Sequence, residues 1–413
     1  MLAPATFAPA NVDEAVAEAR HIANTIAAAH ADDVDAKARF PREAIDALKA
    51  SRLLGALIPE EFGGRGFGIS ELATISEILA SRCASTGMVY AMHQTQVACL
   101  VRHARTDPYF RKYMQELSDK QLLVASATSE VGTNGDTRRS ICALERDGDR
   151  FHIRKEATTL SYGADADDLL VTCRRNPDAA GSDQVLVLLR KGHYTLNQTT
   201  KWDTLGMRGT CSPGYTVESS GPAEQVVPGS FSDSAAQTMV PFSHILWSAV
   251  WLGIASDAVA RAGAFVRGEA RKTPGVVPPT ARRLAEVSTK LQLMRTNVAA
   301  VAAECDRLMA SPEGNEALLE MGFALKMNNL KVASSEMAWE IVHQALGICG
   351  VLGYRNDTKF SLGRHLRAER TRDYLAAMKK LWTEEESSHE GEFVRFGAVR
   401  SYPKPVQRPH PPI

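Results

Sequence analysis

The sequence lacks an excess of charge of either sign. Its 413 residues include 48 lysines and arginines and 48 aspartates and glutamates, so the formal net charge is zero. Without a basic excess, the chain has no general electrostatic attraction for nucleic acid or for an anionic membrane surface. We therefore expect no nucleic-acid partner, and any ligand must be recognised by a local site.

The seven cysteines lack any paired spacing. They are scattered along the chain and never form a Cys-x-x-Cys motif, which argues against a disulfide framework and against a zinc site. No metal is therefore expected, and a reducing, cytoplasmic location fits the composition. The sequence also lacks a basic start followed by an apolar run, and no uninterrupted apolar stretch reaches the ~18 residues of a membrane-spanning helix. We expect neither secretion nor membrane insertion.

Two phosphate-binding motifs are absent as well. No Gly-x-Gly-x-x-Gly follows a predicted strand, and no Lys-Ser or Lys-Thr follows the glycine-dense PEEFGGRGFGIS at 59–70. The sequence thus favours neither a Rossmann domain nor a P-loop. The glycines at 59–70 are predicted to form a tight turn between helices. If a dinucleotide binds, it binds in another way.

The residue composition and the spacing of apolar residues change along the chain, and these changes predict an α+β multidomain fold. Residues 1–118 carry Ala, Leu, Glu and Arg at helical spacing, which predicts an N-terminal all-helical domain. Residues 119–232 contain short β-branched runs separated by Gly, Asp, Asn and Pro, which predict an antiparallel, barrel-like β domain. Apolar residues recur at helical spacing over 233–391, which predicts a C-terminal four-helix bundle. A proline-rich tail follows over 392–413.

Apolar residues of the C-terminal domain recur in alternating steps of three and four. This spacing predicts a bundle helix with a long apolar seam that packs in the core rather than against a ligand. A β domain between two helical domains also creates two boundaries, and the clefts at such boundaries are where we expect a cofactor. The seam consists of Leu284, Val287, Leu291, Met294, Val298, Val301, Cys305 and Leu308.

Several segments, in matching order over roughly residues 36–380, resemble acyl-CoA dehydrogenases and their flavin-dependent relatives. In the β domain, ATSEVGTNGD at 127–136 resembles the family's Thr-Glu-Pro-Gly-x-Gly-Ser-Asp segment, with Val131 in place of the proline. The stretch KEATTLSYGADADDLLVTCR at 155–174 resembles its Gly-x-Lys-x-Trp-Ile-Thr-x-Gly strand. The stretch WDTLGMRGTCSPGYTV at 202–217 resembles its Leu-Gly-x-Arg-x-Ser/Thr-x-Thr segment.

This resemblance implies an FAD site on the β domain. Short hydroxyl side chains, with Thr128 and Ser129 as the candidates, and the amides of the turn that contains Gly135 would donate hydrogen bonds to the flavin's pyrimidine oxygens and pyrophosphate. Ser161 takes the position of the family's threonine, beside flavin N5, and Thr159 takes the position of its aromatic residue. The lost aromatic ring removes a stacking platform from the flavin pocket.

The C-terminal domain carries two further segments of the resemblance. HQALGICGVLGY at 343–354 resembles the family's Gln-x-x-Gly-Gly-x-Gly-Tyr, which implies that Gln344 and Gly347 contact the FAD of a neighbouring subunit in a homodimer or homotetramer. In VRGEARKTPG, Arg267 and Arg271 are candidates for the family's pyrophosphate-binding arginine, because a guanidinium pairs with phosphate oxygens. The Phe-Gly of that motif is missing, and both arginines can equally be read as solvated surface residues.

The position of the catalytic base is the main departure from the family. Such enzymes remove the acyl α-proton with a glutamate while a hydride passes to flavin N5. Reading 366–369 as the family's Arg-Asp motif places Ala376 at the glutamate position, and the alternative position on the first helix of the last domain holds Ser243 and His244. Local alternatives to a base at these positions are His244 in its neutral form, Asp373, Glu384, Glu385 and Glu386.

Three functions therefore follow from the resemblance. The first is an FAD-dependent oxidoreductase acting on the CH–CH group of an acyl thioester, carried by coenzyme A or a carrier protein, with a flavoprotein as electron acceptor. The second is a monooxygenase that uses oxygen and reduced flavin from a reductase, since such relatives dispense with the glutamate. The third is a non-catalytic subunit that binds an acyl thioester.

Overall fold

The computed structural model describes residues 10–369, 387–390 and 395–399. Helices occupy the first and last parts of residues 10–369, and strands occupy the middle. The predicted order of a helical, a β and a second helical region is therefore confirmed.

Six α-helices form the N-terminal region. Buried apolar residues at helical spacing, such as Ala44, Ile45 and Leu48 on one of them, turn each helix towards a common core. The first two helices continue one another through a π-helical segment at Ile22–Ala27. The helices are α1 (Ala10–His21), α2 (Ala28–Lys37), α3 (Arg42–Ala50), α4 (Ile69–Ala80), α5 (Ala84–His103) and α6 (Pro108–Lys120).

The glycine-dense stretch at 59–70 forms the predicted turn, between α3 and α4. Gly63 and Gly66 have φ angles of 81° and 66°, in the left-handed region that favours glycine. A Cβ at Gly64 would lie 2.0 Å from the carbonyl oxygen of Ile58, so only glycine fits there. These glycines therefore serve chain reversal and close packing.

The β domain contains seven strands in two sheets. The three-stranded sheet has the order β1-β4-β5, and the four-stranded sheet has the order β2-β3-β7-β6. Side chains of β3 alternate between buried and exposed, whereas those of β4 and β5 are buried almost throughout, so the three-stranded sheet is the inner one. The strands are β1 (Val124–Ala127), β2 (Glu145–Asp147), β3 (Arg150–Ala157), β4 (Asp168–Arg174), β5 (Gln184–Arg190), β6 (Tyr194–Gln198) and β7 (Tyr215–Pro222).

One strand pair departs from the predicted antiparallel arrangement. β1 pairs with β4 in parallel, with Val124 opposite Asp168, whereas the other strand pairs of this domain are antiparallel. This single parallel pair corrects the prediction of an antiparallel domain and does not form a Rossmann sheet. The chain between β1 and β4 instead passes through β2 and β3 of the other sheet, which provides the length that a parallel connection needs.

A buried ion pair joins the two sheets. The ammonium group of Lys155, on β3, lies 3.4 Å from the carboxylate of Glu130 and donates a 2.8 Å hydrogen bond to the carbonyl oxygen of Thr172, on β4. The same carboxylate accepts hydrogen bonds from the Ser140 hydroxyl and from the amides of Ile141 and Cys142. The pair thus fixes the loop that follows β1 against both sheets.

The C-terminal region is helical, as predicted. Its central helix packs against α4 and α5 of the N-terminal region as well as against its own neighbours. The predicted seam is confirmed, because six of its residues are buried along one helix, while Leu284 and Leu308 pack partly buried at its ends. The helices are α7 (Phe231–Ser234), α8 (Val240–Lys272), α9 (Ala281–Met309), α10 (Pro312–Ala317), α11 (Met321–Cys349), α12 (Val351–Tyr354) and α13 (Gly363–Glu369).

Two short strands follow the helices. β8 (Ser387–Glu390) and β9 (Arg395–Val399) pair antiparallel. The predicted boundary between the helical bundle and the proline-rich tail, at 391/392, falls between these strands. The rest of the tail lies outside the described residues.

One helical run is long and apolar enough to cross a membrane. It spans Phe231–Lys272, although no uninterrupted apolar stretch of that length occurs in the sequence, and 72% of its most apolar window is buried inside the protein. Packing of α8 against α4, α5, α9 and α11 accounts for this apolar character.

We predict that Lys155→Met destabilises the protein by about 3–5 kcal/mol, because it leaves the Glu130 carboxylate buried without its cation. The matched control is Arg154→Met on the same strand, whose ion pair with Glu218 is more than half exposed on the arginine side and is expected to contribute less than about 1 kcal/mol. Denaturant unfolding of both variants measures the difference. Equal losses in the two variants would contradict a structural role for the buried pair.

The same pair predicts a pH dependence of stability. Burial opposes the charge of Glu130, but Lys155 and the surrounding hydrogen bonds outweigh it and hold the pKa of this carboxyl below its ordinary value of 4.5. The stabilisation is therefore complete above pH 4.5 and is lost as the pH falls through the lower pKa of the folded state. Thermal unfolding of wild type and Glu130→Gln from pH 7 to pH 3 is expected to show two curves that converge on the acid side.

Candidate functional site

Two predicted site residues meet where the segments that follow β1 and β3 run side by side. The hydroxyl of Ser129 donates a 3.1 Å hydrogen bond to the carbonyl oxygen of Thr159, and the amide of Thr159 donates to the Ser129 hydroxyl over 3.3 Å. Ser129 and Thr128 are half-buried, whereas Thr159 is exposed. The structure therefore presents hydroxyl groups on an accessible edge of the β domain.

The loop after Ser129 is an open turn. Gly132, Asn134 and Gly135 all have positive φ angles, between 52° and 89°. A Cβ at Gly135 would meet no atom within 4 Å, so the backbone of this turn is open to a ligand. Successive backbone amides in such turns form concave sites for anions. This geometry suits the predicted contact with a pyrophosphate.

Three further hydroxyls form a chain next to this edge. The Ser212 hydroxyl lies 2.9 Å from the Ser161 hydroxyl and 2.8 Å from that of Thr210, which in turn donates to the carbonyl oxygen of Met207. Ser212 and Thr210 are buried, whereas Ser161 is half-buried. Only Ser161 was singled out from the sequence. The signal for the other two is the alternation of hydroxyl residues after the Gly-x-Arg of the 202–217 segment.

Backbone strain is concentrated beside the hydroxyl chain. Tyr162, Met207 and Cys211 have positive φ angles of 43°, 49° and 44°, which non-glycine residues seldom adopt. The amide of Tyr162 donates to the carbonyl oxygen of Thr210 over 2.7 Å, and its phenol donates to that of Val124 over 3.1 Å. These bonds hold the strained segments together, and strain of this kind clusters at functional sites.

The turn into β4 packs closely at Gly163. A Cβ at Gly163 would lie 1.8 Å from a methyl group of Leu160, and Leu160 is itself fixed by an amide hydrogen bond to the carbonyl oxygen of Pro213.

Arg267 and Arg271 lie one helical turn apart near the end of α8. Both are exposed and line a cavity of about 470 Å³ together with Arg82, Lys359 and Phe360. Phe360 is held edge-on by Phe265, with ring centroids 5.6 Å apart. Phe360 was not predicted from the sequence, since it lies far along the chain in the loop between α12 and α13. The structure thus places an aromatic ring beside the two predicted arginines.

Gln344 and Gly347 lie together near the end of α11. The Gln344 amide donates to the Glu340 carboxylate over 3.1 Å, and Gly347 is exposed. Among the described residues, no hydrogen bond joins them to the hydroxyl-bearing segments of the β domain. The structure therefore does not bring these two predicted residues to the β-domain site of the same chain.

The two positions of the family's carboxylate hold no acid. The Ser243 hydroxyl donates to the carbonyl oxygen of Val240, on its own helix. His244 is buried, hydrogen-bonds to the backbone of Met327 on α11, and has an unpartnered Nδ1. Burial, and secondarily the charge of Lys331, lower the pKa of His244 to about 4, so its imidazole is neutral at pH 7.

The other residues considered for the catalytic base lie in a part of the chain that the structure does not describe. Ala376, Asp373 and the three glutamates at 384–386 lie outside the described residues. Among the residues that are described, no group of three or more His, Cys, Asp or Glu side chains is arranged to hold a metal ion.

These residues fit a flavin dinucleotide. Hydroxyl donors on the accessible edge match the carbonyl oxygens and ring nitrogens of an isoalloxazine, and the open turn with positive φ angles matches a pyrophosphate. The arginine cavity offers a second phosphate-type contact with an aromatic ring beside it.

Two family profiles match the chain in order. The profile described as "Acyl-CoA dehydrogenase, N-terminal domain" matches residues 11–140, and "Acyl-CoA dehydrogenase, C-terminal domain" matches residues 234–375. A third profile, "Luciferase-like monooxygenase", matches residues 350–413 and overlaps the second over 350–375.

Curated relatives are similar over most of their length. The "Probable acyl-CoA dehydrogenase" of Mycobacterium tuberculosis is 25% identical over 366 residues, which cover 87% of this chain and 90% of the relative. The cyclohex-1-ene-1-carbonyl-CoA dehydrogenase of Geobacter metallireducens is 24% identical and covers 82% and 87%.

Solved structures share the fold. Dibenzothiophene monooxygenase from a Paenibacillus species aligns with a TM-score of 0.74 and 21% identity, covering 87% of this chain and 92% of that chain. Methanesulfinate monooxygenase from Pseudomonas fluorescens aligns with a TM-score of 0.74 and 21% identity, covering 90% and 92%. With the matching profiles and relatives, these findings establish that the chain belongs to the acyl-CoA dehydrogenase superfamily, a class of flavoprotein oxidoreductases with FAD as cofactor.

Proposed function

We propose that this chain is an FAD-dependent oxidoreductase that acts on an acyl thioester carried by coenzyme A or a carrier protein. The observation that carries the proposal is the hydroxyl-bearing edge of the β domain. It is supported by the similarity of this chain to curated acyl-CoA dehydrogenases, which extends over most of their length. A bound flavin would supply the acceptor for the two electrons removed from the substrate. Oxidation of the CH–CH group then requires a partner, such as an electron-transfer flavoprotein, to take these electrons onward.

Two surfaces of the chain would bind FAD: the edge of the β domain and the end of α11. Ser129, Thr159 and Ser161 face the ring system, and the turn with Gly135 faces the pyrophosphate. Within the described part of one chain, Gln344, on α11, makes no hydrogen bond to these segments but bonds to Glu340, so we assign its predicted contact with FAD to a second copy. We therefore include a homodimer or homotetramer in the proposal. Val351 and Tyr354, on α12 directly after Gln344 and Gly347, expose apolar side chains, which is consistent with a covered surface there.

The proposed oxidation needs an acceptor for the α-proton of the acyl group. At the family's alternative base position, the neutral imidazole of His244 has an unpartnered Nδ1 lone pair. A base whose pKa is about 4 is weak at pH 7, because proton transfer is most efficient when the pKa lies near the working pH. His244 is nevertheless the one described side chain at either family position that can accept a proton.

A flavin-dependent monooxygenase is the second candidate function. It is favoured by the residues at the two base positions, Ser243 and Ala376, since oxygenation does not require removal of an α-proton. The profile of the dehydrogenase C-terminal domain ends at residue 375, immediately before Ala376, while the luciferase-like profile continues to 413. Ala376 therefore lies just beyond the part of the chain that the dehydrogenase profile matches. The monooxygenase relatives of known structure share this fold.

We predict that the FAD-loaded protein loses its oxidised flavin absorbance when titrated anaerobically with acyl-CoA thioesters of short, medium or branched chain. The physical reason is that electrons leave the substrate only if its α-proton has an acceptor. Absence of bleaching by the whole panel would contradict the dehydrogenase proposal. Oxygen uptake with reduced FAD and an oxygenated product would then support the monooxygenase instead, and failure to retain any FAD would contradict both.

We further predict that His244→Asn slows this bleaching at least 10-fold, because asparagine keeps polarity and approximate size but cannot accept the α-proton. The matched control is His152→Asn, on the exposed face of β3. Stopped-flow reduction of each FAD-loaded variant by the most reactive thioester measures the rate. An unchanged rate in His244→Asn, with normal FAD content, would remove His244 from the proposed reaction.

A further inference from the structure

A small cavity lies where the two helical regions meet a loop of the β domain. Its volume is about 30 Å³, and its wall includes Asp35 on α2, Ser85 at the start of α5, Met207 in the loop before β7, and His365 on α13. A water molecule needs about 10–15 Å³ of such space, so the cavity has room for about one or two of them. Its size therefore suits a very small ligand.

His365 presents a hydrogen-bond acceptor that is not in use. Its side chain is only 7% exposed, its Nε2 lies 2.8 Å from the carboxylate of Asp257 on α8, and its Nδ1 has no partner among the described residues. Burial lowers the pKa of His365 below its ordinary value of 6.5, so the imidazole is neutral at pH 7. Because an ionised carboxylate can only accept, the one ring proton lies on Nε2. Nδ1 therefore keeps a lone pair that needs a donor.

Ser85 presents the complementary donor on the same wall. Ser85 is buried, and its Oγ accepts the amide of Gly209 over 3.1 Å. A hydroxyl that accepts in this way still has its own proton to donate, and within the part of the chain that the structure describes no hydrogen bond takes up that proton. Buried polar groups in folded proteins rarely stay without a partner. One donor and one acceptor on this wall thus require a ligand that can serve both.

Water meets this requirement. A water molecule can accept the Ser85 hydroxyl proton and donate to His365 Nδ1, and its second proton is available to the carboxylate of Asp35 on the same wall. The Arg367 guanidinium bonds to Oδ2 of that carboxylate with both of its hydrogen bonds, so Oδ1 remains an acceptor. Three bonds are typical of a buried water molecule. The polar groups of the cavity therefore match water in number as well as in kind.

We propose that this cavity is a binding site for ordered water, which joins the Asp257–His365 pair to Ser85 and, through the Ser85 hydroxyl, to the amide of Gly209. The bridge connects the C-terminal helices, the N-terminal helices and a loop of the β domain. Direct contact between the side chains of Ser85 and His365 does not make this link. The inference does not depend on FAD binding.

The loop that the water supports is closely packed. A Cβ at Gly209 would lie 2.4 Å from a methyl group of Val34 and 2.9 Å from Ser85, so the loop has no room to approach the helices further. The same loop continues into Thr210 and Ser212, whose hydroxyls lie 2.8 Å apart beside the edge of the β domain. Water in the cavity therefore forms part of the support of the candidate site.

The test is a crystal structure of the full-length protein at a resolution that shows ordered solvent. We expect a water molecule about 2.7–3.2 Å from His365 Nδ1 that reaches Ser85 Oγ directly or through a second water. A cavity without solvent density overturns the proposal, and so does a direct hydrogen bond between the two side chains. This measurement uses the wild-type chain and is independent of how well any variant folds.

A double-mutant cycle tests the link in solution. Ser85→Ala and His365→Phe each remove one partner of the water, so the decrease in Tm of the double variant is expected to be smaller than the sum of the single decreases. The matched control pairs His365→Phe with Ser219→Ala, which removes a buried hydroxyl that donates to the carbonyl oxygen of His193, outside the cavity. Its decreases are expected to add. Additive decreases in both pairs overturn the proposed bridge.

Discussion

The buried ion pair between Lys155 and Glu130 is the contact on which the candidate site depends. Lys155 is fully buried on β3 and reaches β4 through the carbonyl oxygen and hydroxyl of Thr172, so one ammonium group ties the two sheets together. The hydroxyl of Thr172 lies 3.4 Å from the carbonyl oxygen of Thr128. A buried charge is stable only with such a complete set of partners. The loop that carries the site is therefore anchored from beneath, while its outer edge is left to bind a ligand.

The site that this anchor supports is built from neutral groups. Ser129, Thr159 and Ser161 offer hydrogen bonds rather than charge, and His244 at the alternative base position is kept neutral by burial. Such a surface can offer hydrogen bonds to a bound ring. It offers little driving force for proton abstraction, which is why the identity of the proton acceptor separates the two candidate reactions.

A second charged cluster joins the two helical regions. Asp257, on α8, receives Arg82 at the end of α4, Arg261 on its own helix and His365 on α13. Burial opposes its ionisation, but the hydrogen bond from His365 and the charge of Arg261 hold the pKa of Asp257 well below its usual range. Asp306, on α9, adds a further link by accepting the amides of Ile69 and Ser70 at the start of α4. These contacts fix the helical regions around the β domain.

Local patterns in the sequence were enough to determine the helical, β and helical order, the glycine turn at 59–70 and the seam of α9, because each depends on neighbours within one or two turns of chain. The resemblance also predicted Ser129, Thr159 and Ser161 as site residues, and Ser129 and Thr159 hydrogen-bond to each other. Tertiary structure alone decided the parallel pairing of β1 with β4, the burial of Lys155 and the approach of Phe360 to the arginines of α8. It also decided that Ser212 lies behind Ser161, 51 residues away along the chain. These features join residues distant in sequence, and their partners are selected by packing and by the need to satisfy buried polar groups, neither of which leaves a local pattern.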